Sequence, residues 1–467
     1  MKLYKAISFG ILSVLLSQVC YAKASYPSPP PQGAPITVKD TVYGVLRSHR
    51  AIRGMQENKI ALEHEVGKAK AGFGPQVNVT GEGGGSLLSD STTREKDLDR
   101  QMYGMVSASA RLVQPIWDGF ATRSRVRTAK SVLESVNHRL FDTATSLSLD
   151  GIIAQINLNS RRIIHDYAEA NVKQHENILG QTRSRMTFGA DTAADESQAK
   201  TRLARAMSSL AEAKANLLTA EDTYARLTGM GPAKNMAKVE LPPVVYDSPA
   251  AVLKFAETSN PKLKAYTSDI KAARGELELA DSAFYPQLSV EAGPSYSNRG
   301  GDDNRWSYGV DAVGVVRWNL FNSGADVAEK KAQSARVRQA RQTMYDFADD
   351  LKLDIDSTWV AYKSAMEQKK YYDEAITAAK FTKGAYLEQF HLGERSLLDV
   401  LDAENELYTS QVQAEMAASN ILIGAYRLCA LTGDLLPILN IDTVPLYETP
   451  KSAKAVKSEE FAPGWFD

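Results

Sequence analysis

FHLGERSLLDVLDAENELY, residues 390–408, stops one long polar helix at Gly393 and starts another two residues later. Asp399 and Asp402 follow the turn three residues apart, so on a helix they project from one face. An earlier stretch, MTFGADTAADESQAKTRL at residues 186–203, lines up with it at a constant shift of 204 residues. Gly189 then falls on Gly393, Asp195 on Asp399, Ala199 on Ala403 and Leu203 on Leu407. The chain is a tandem duplication, and the helix turn is its best-kept part.

On the N-terminal side of each turn lies a long proline-free run, residues 118–187 and 322–391. In the first, apolar residues recur in steps of three and four: Val126, Ala129, Leu133, Val136, Leu140, Ala144 and Leu147. That period predicts a coiled-coil seam. Such a helix reaches about 100 Å at ~1.5 Å per residue, several times the ~30 Å hydrocarbon core of a bilayer. Its many Arg, Asp and Asn residues place it in water. Shorter return helices are predicted over residues 191–228 and 395–432, each followed by a glycine, Gly229 or Gly433, suited to a left-handed cap.

Before each long helix the period changes from helical to alternating, which predicts β-hairpins over residues 76–117 and 287–321. The first contains a polar loop, SDSTTREKDLDR, at residues 89–100. In the second, Trp306, Tyr308, Val310, Ala312, Val316, Trp318 and Leu320 share one face. Long strands of this kind suit a membrane barrel, and on the first hairpin alone a soluble hairpin fits equally well. Phe73-Gly74-Pro75-Gln76 matches Phe284-Tyr285-Pro286-Gln287 at a shift of 211 residues, so the first copy carries seven extra residues before the shift falls to 204. A hairpin absorbs such a change more easily than a rod. Helices are expected ahead of each hairpin, over residues 37–71 and 249–283, with Ser259-Asn260-Pro261-Lys262-Leu263 aligned on residues 48–52.

The domain plan is therefore a first repeat at 37–229, a proline-rich connector at 230–248 and a second repeat at 249–433. Residues 434–467 form a tail expected to be partly mobile and dispensable for the fold. Ahead of the repeats come an export signal at 1–24, basic and then apolar, and a proline-rich arm at 25–36. Val19 stands where a lipoprotein signal wants a small residue before Cys20, so that reading is weaker. Loss of the signal would leave Cys429 as the sole cysteine. Lys and Arg total 55 against 56 Asp and Glu, a net charge of −1, so nothing points to nucleic acid. The six histidines make no ligand motif, so no metal or other cofactor is expected. Gly81 to Gly85, GEGGG, lacks the lysine of a phosphate loop, and no catalytic signature assembles.

Four strands cannot close a barrel, and open edges in lipid cost several kcal/mol per unpaired group. Membrane hairpins would thus require an oligomer of 8 or 12 strands. The alternative is an exported soluble coiled-coil protein, a structural or adhesive rod with the hairpins as capping sheets.

The duplication, Asn260-Pro261-Lys262-Leu263, Tyr285-Pro286, Trp318 to Gly324 (WNLFNSG) and Gly393 to Ala403 (GERSLLDVLDA) resemble the TolC family of outer-membrane channel-tunnels. Within it, residues 389–407 are most similar to the type I secretion components. The resemblance implies a mainly α protein with membrane β-strands: a homotrimer with a 12-stranded barrel in outer-membrane lipid and a coiled-coil tunnel crossing the periplasm. It implies partners, namely a periplasmic adaptor and an inner-membrane ABC transporter or proton-driven pump, and no enzymatic activity. It also implies that Asp399 and Asp402 narrow the periplasmic aperture, as stacked acidic rings that attract cations. Arg395 and Asp195 match its closing network. Where that network has a tyrosine this chain has Phe390, with Tyr386 one turn earlier as a substitute. Trp306, Tyr308 and Trp318 would be an aromatic girdle.

Overall fold

A computed structural model describes residues 26–447 apart from 28–29, 32, 88, 90–93, 95–101, 190–191, 245 and 300–304. The expected signal at 1–24, most of the polar loop at 89–100 and the tail beyond residue 447 lie outside the described residues.

The first repeat runs α1 (Val38–Ser48), α2 (Arg50–Ala71), β1 (Gln76–Leu87), β2 (Met102–Trp117), α3 (Ala121–Thr187) and α4 (Ala193–Thr228). The second runs α5 (Pro249–Ser259), α6 (Pro261–Asp281), β3 (Gln287–Arg299), β4 (Arg305–Arg317), α7 (Ala325–Leu392) and α8 (Leu397–Thr432), followed by α9 (Leu435–Ile438) and α10 (Val444–Tyr447). The stretches at 37–71 and 249–283, each expected to be largely one helix, are each broken once, and the break has a purpose. His49 and Asn260 leave helical geometry there and cap α2 and α6, each through its own side chain. Into each gap fits the end of a return helix. A Cβ on Gly229 would lie 2.7 Å from the Ser48 side chain, and one on Gly433 would lie 2.6 Å from Pro261. Both glycines also have positive φ, 66° and 85°. α4 thus runs on into α2, and α8 into α6, as broken but nearly continuous rods.

The four strands make one antiparallel sheet in the order β1-β2-β3-β4. The two hairpins join through β2 and β3, with Val113 opposite Glu291 and Ser107 opposite Ser297. This register puts Val77, Val79, Ala110, Leu112, Val290, Tyr308, Val310 and Val316 on one face. Their exposure reaches 79% at Val79, so none of the described residues covers that face. The other face is polar: Arg111 and Arg317 both reach Glu291, at 3.3 and 2.6 Å.

Below the sheet the helices form one layer. α3 lies between α2 and α6, and α6 packs on α7; nearer the turns, α3 lies between α4 and α8, and α8 packs on α7. α3 is therefore central, which explains why its buried face contains Ser131, Ser135, Thr145 and Ser148 as well as Leu140 and Ile152. Small hydroxyl residues let neighbouring helices approach. α7, at the flank, leaves Tyr345, Leu353, Val360, Tyr371 and Phe381 exposed.

The main core sits midway, where Val42, Ile52, Leu140, Ile152, Ile355 and Leu428 meet. Leu435, Leu436 and Leu446, all fully buried, complete it, each contributing about 1.5–3 kcal/mol by burial. Lys59 and Gln56 of α2 donate to the carbonyls of Tyr447 and Leu446. The start of the expected tail is thus part of the core rather than dispensable.

Candidate functional site

The two helix turns lie together at the end of the layer remote from the sheet, and they are built alike. α3 ends at Thr187 and α7 at Leu392, and the chain reverses through Gly189 (φ 73°) and Gly393 (φ 77°). A Cβ at φ near 75° is strained for any other common residue. Each return helix then begins with a hydroxyl cap and an acid three residues on. Thr192 accepts from the Asp195 amide at 3.3 Å and donates its hydroxyl to Asp195 Oδ2 at 2.7 Å. Ser396 does the same with Asp399, at 3.3 and 2.8 Å. Both aligned aspartates meet the positive end of their helix, and Asp195 also closes a capping box by accepting from the Thr192 amide at 2.9 Å. Hydrogen bonds from the Thr192 hydroxyl and backbone hold the Asp195 carboxyl below the usual carboxylate range.

Behind the turns is an apolar plug of Ile178, Leu179, Ala199, Phe390, Leu397, Val400 and Leu401. It unites all four long helices. Phe390 is only 2% exposed, and the Arg185 guanidinium of α3 lies 4.5 Å above its ring while donating to its backbone carbonyl at 2.9 Å. The phenylalanine is therefore gripped through its ring and main chain. Tyr386 does a different job: the Arg395 guanidinium stacks on it at 4.2 Å. Arg395 also donates to Gln389 at 3.0 Å and stands 3.8 Å from Asp399.

Asp402 faces the other repeat. Arg202 of α4 donates to its Oδ1 at 2.7 Å. Next to this pair, Lys383 and the buried Glu404 are 2.7 Å apart. His175, 4% exposed, is held below its ordinary pKa by burial and by the Arg202 and Lys383 charges.

Phe390, Tyr386, Arg395 and Asp399 thus converge on the second turn, Asp402 joins it to the first repeat, and Asp195 caps α4. Arg185 and Arg202 escaped the sequence reading because their partners lie about 200 residues away and neither belongs to a local motif. Trp306 and Tyr308 stand exposed at the loop end of β4. Trp318 lies just past its other end, with its indole donating to the Phe284 carbonyl at 3.2 Å. Among the described residues, His165, Asp166 and Glu169 could group around a metal ion. The two ring nitrogens face different carboxylates, at 4.0 and 3.9 Å, so no one ring nitrogen converges with both acids.

The family model described as outer membrane efflux protein matches residues 42–230 and 252–434. Over 424 residues the chain is 26% identical to the outer membrane efflux protein BepC of Brucella suis biovar 1, covering 89% of this chain and 88% of that one. It is 24% identical to the alkaline protease secretion protein AprF of Pseudomonas aeruginosa, covering 83% of each. In fold it is similar to the CmeC outer membrane channel of Campylobacter jejuni, with a TM-score of 0.73 at 14% identity over 87% of this chain and 90% of that one.

Proposed function

Because the chain belongs to the outer membrane efflux protein family, a family of channels and not of enzymes, we propose that three copies join side by side into one export duct across outer membrane and periplasm. The observation that carries this is the agreement of the flanks along the whole molecule. β1, α2 and α4 form one side of the layer, and β4 and α7 form the other. Joining unlike flanks around a rotation axis makes a ring. It pairs the free edge of β4 with that of β1 and covers the apolar stripe of α7. It also turns the apolar sheet face outward to lipid and the Arg111–Glu291–Arg317 face to a wet lumen. The soluble-rod reading leaves both edges and the uncovered apolar face unexplained.

With three chains the barrel has 12 strands, Trp306 and Tyr308 mark one interface and Trp318 the other. The helix turns close the periplasmic end. Asp399 and Asp402 form its acidic aperture, and Arg395, Asp195, Phe390 and Tyr386 hold it shut. The cargo system is type I secretion, with a periplasmic adaptor and an inner-membrane ABC transporter. The similarity to AprF and the residues at 389–407 support it over a proton-driven pump.

Extraction and capture test this reading. The protein should resist carbonate, require detergent and run as a heat-modifiable oligomer, and cross-linked complexes should contain an ABC transporter. Release by carbonate would overturn the duct. Capture of a proton-driven pump alone would overturn the type I assignment.

A further inference from the structure

Asp399 and Asp402 look equivalent in the sequence, but their partners differ in kind. Asp399 is held within its own turn by Ser396 and Arg395, at 2.8 and 3.8 Å. Those contacts travel with α8 however it moves. Asp402 is held by Arg202, which belongs to the other repeat and the other antiparallel helix pair. Arg202 is 25% exposed and its partner 57%, so the guanidinium is seated among the helices while the carboxylate reaches outward. The neighbouring groups leave Arg202 to this task. Lys383 is taken by Glu404, and His175 on α3 is kept neutral at pH 7.

We infer that Arg202 is a specificity-determining residue which sets the charge of the aperture according to its state: it cancels Asp402 while the helix pairs are packed together and uncovers it when they part. This rests on the reading that Asp399 and Asp402 line the aperture. A hydrogen-bonded ion pair at 2.7 Å is lost once the helices separate by an ångström or two. Around three chains, closure presents three cancelled pairs at the Asp402 level, and opening presents three free carboxylates. At the Asp402 level a closed duct is therefore a poorer cation trap than an open one. Cations entering an opening duct compete with Arg202 for Asp402 and oppose its closing.

Purified trimers in planar bilayers, with Mg2+ added on the periplasmic side, test this. An exposed ion pair corresponds to a factor of ~1.4 to 5, and three act on one ion. Arg202→Gln should therefore tighten Mg2+ block on the order of tenfold and raise the cation-to-anion permeability ratio. Arg202→Lys, which keeps the charge, should fall between Arg202→Gln and the native chain. Adding Asp402→Asn to Arg202→Gln should cancel the gain. If Arg202→Gln leaves block unchanged while Asp402→Asn relieves it, Arg202 does not set the charge and the inference fails alone. If Asp399→Asn and Asp402→Asn both leave block unchanged, the aperture reading fails and the inference falls with it.

Discussion

Phe390→Ala should loosen the turn end of the molecule without unfolding the rest. The ring is 2% exposed in a plug whose other members come from the other three long helices. Removing a buried phenylalanine costs about 3–5 kcal/mol through lost transfer energy and the cavity left behind. The stacked Arg185 contact adds ~0.5–1 kcal/mol, while the Arg185 bond to the backbone carbonyl survives the substitution. The main core near Leu140 and Leu428 is a separate cluster, so the cost falls on local opening of the plug. By the relation of ~1.4 kcal/mol to a factor of ten, amide exchange in the first turns of α8, around Leu401 and Ala403, should accelerate by two orders of magnitude or more. Exchange around Leu428 should not change. Phe390→Leu, which keeps most of the bulk and gives up the ring, should recover most of the protection. Exchange around Leu401 within threefold of the native rate in Phe390→Ala would refute the plug.

Four further outcomes follow from other parts of the chain. Gly293→Val should abolish the heat-modifiable oligomer, because a Cβ there would lie 1.9 Å from the Ala110 carbonyl oxygen in the β2–β3 seam; electrophoresis without heating reads it. Thr192→Ala should cost about 0.5–2 kcal/mol of α4 stability, seen as faster exchange in its first turn. Since the Asp195 pKa is lowered in the fold, the capping contribution is full above the ordinary carboxylate pKa of 3.8 and fades as pH falls through the lower folded value. α4 should therefore keep its protection at pH 5 and lose it only in stronger acid. Cys429 is fully buried, and burial pushes its thiol up to about 12; iodoacetamide should label it only after denaturation.

The plan of the molecule was legible because duplication repeats its punctuation. Gly189 and Gly393 mark the turns, Gly229 and Gly433 the helix ends, and the change of period at Gln76 and Gln287 the start of strands. Each is a local signal, carried by backbone conformation or side-chain alternation. What escaped was non-local or cooperative. The breaks at His49 and Asn260 exist because α4 and α8 end against them, and no window of sequence contains both partners. Ser131, Ser135, Thr145 and Ser148 look like surface residues, yet they are buried because α3 has neighbours on several sides. The tail reads as dispensable because its later part is polar, although Leu435, Leu436 and Leu446 lie at its start and are buried. At the turns, Asp399 and Asp402 were visible as a pair on one face. Arg185 and Arg202 came into view only when folding brought the two repeats side by side.

In the proposed ring, unlike flanks of neighbouring copies meet. Cysteines placed pairwise on the polar-face positions of the outer strands, Asn78 or Thr80 on β1 with Asp311 or Val313 on β4, test it in a Cys429→Ser chain. Within one chain β1 and β4 are three strand spacings apart, about 14 Å, too far for a disulfide. Oxidation in membranes should therefore give bonds only between copies, in a ladder that ends at a covalently closed trimer. A ladder ending at the dimer, or no cross-link from any pairing of the two strands, would contradict the account.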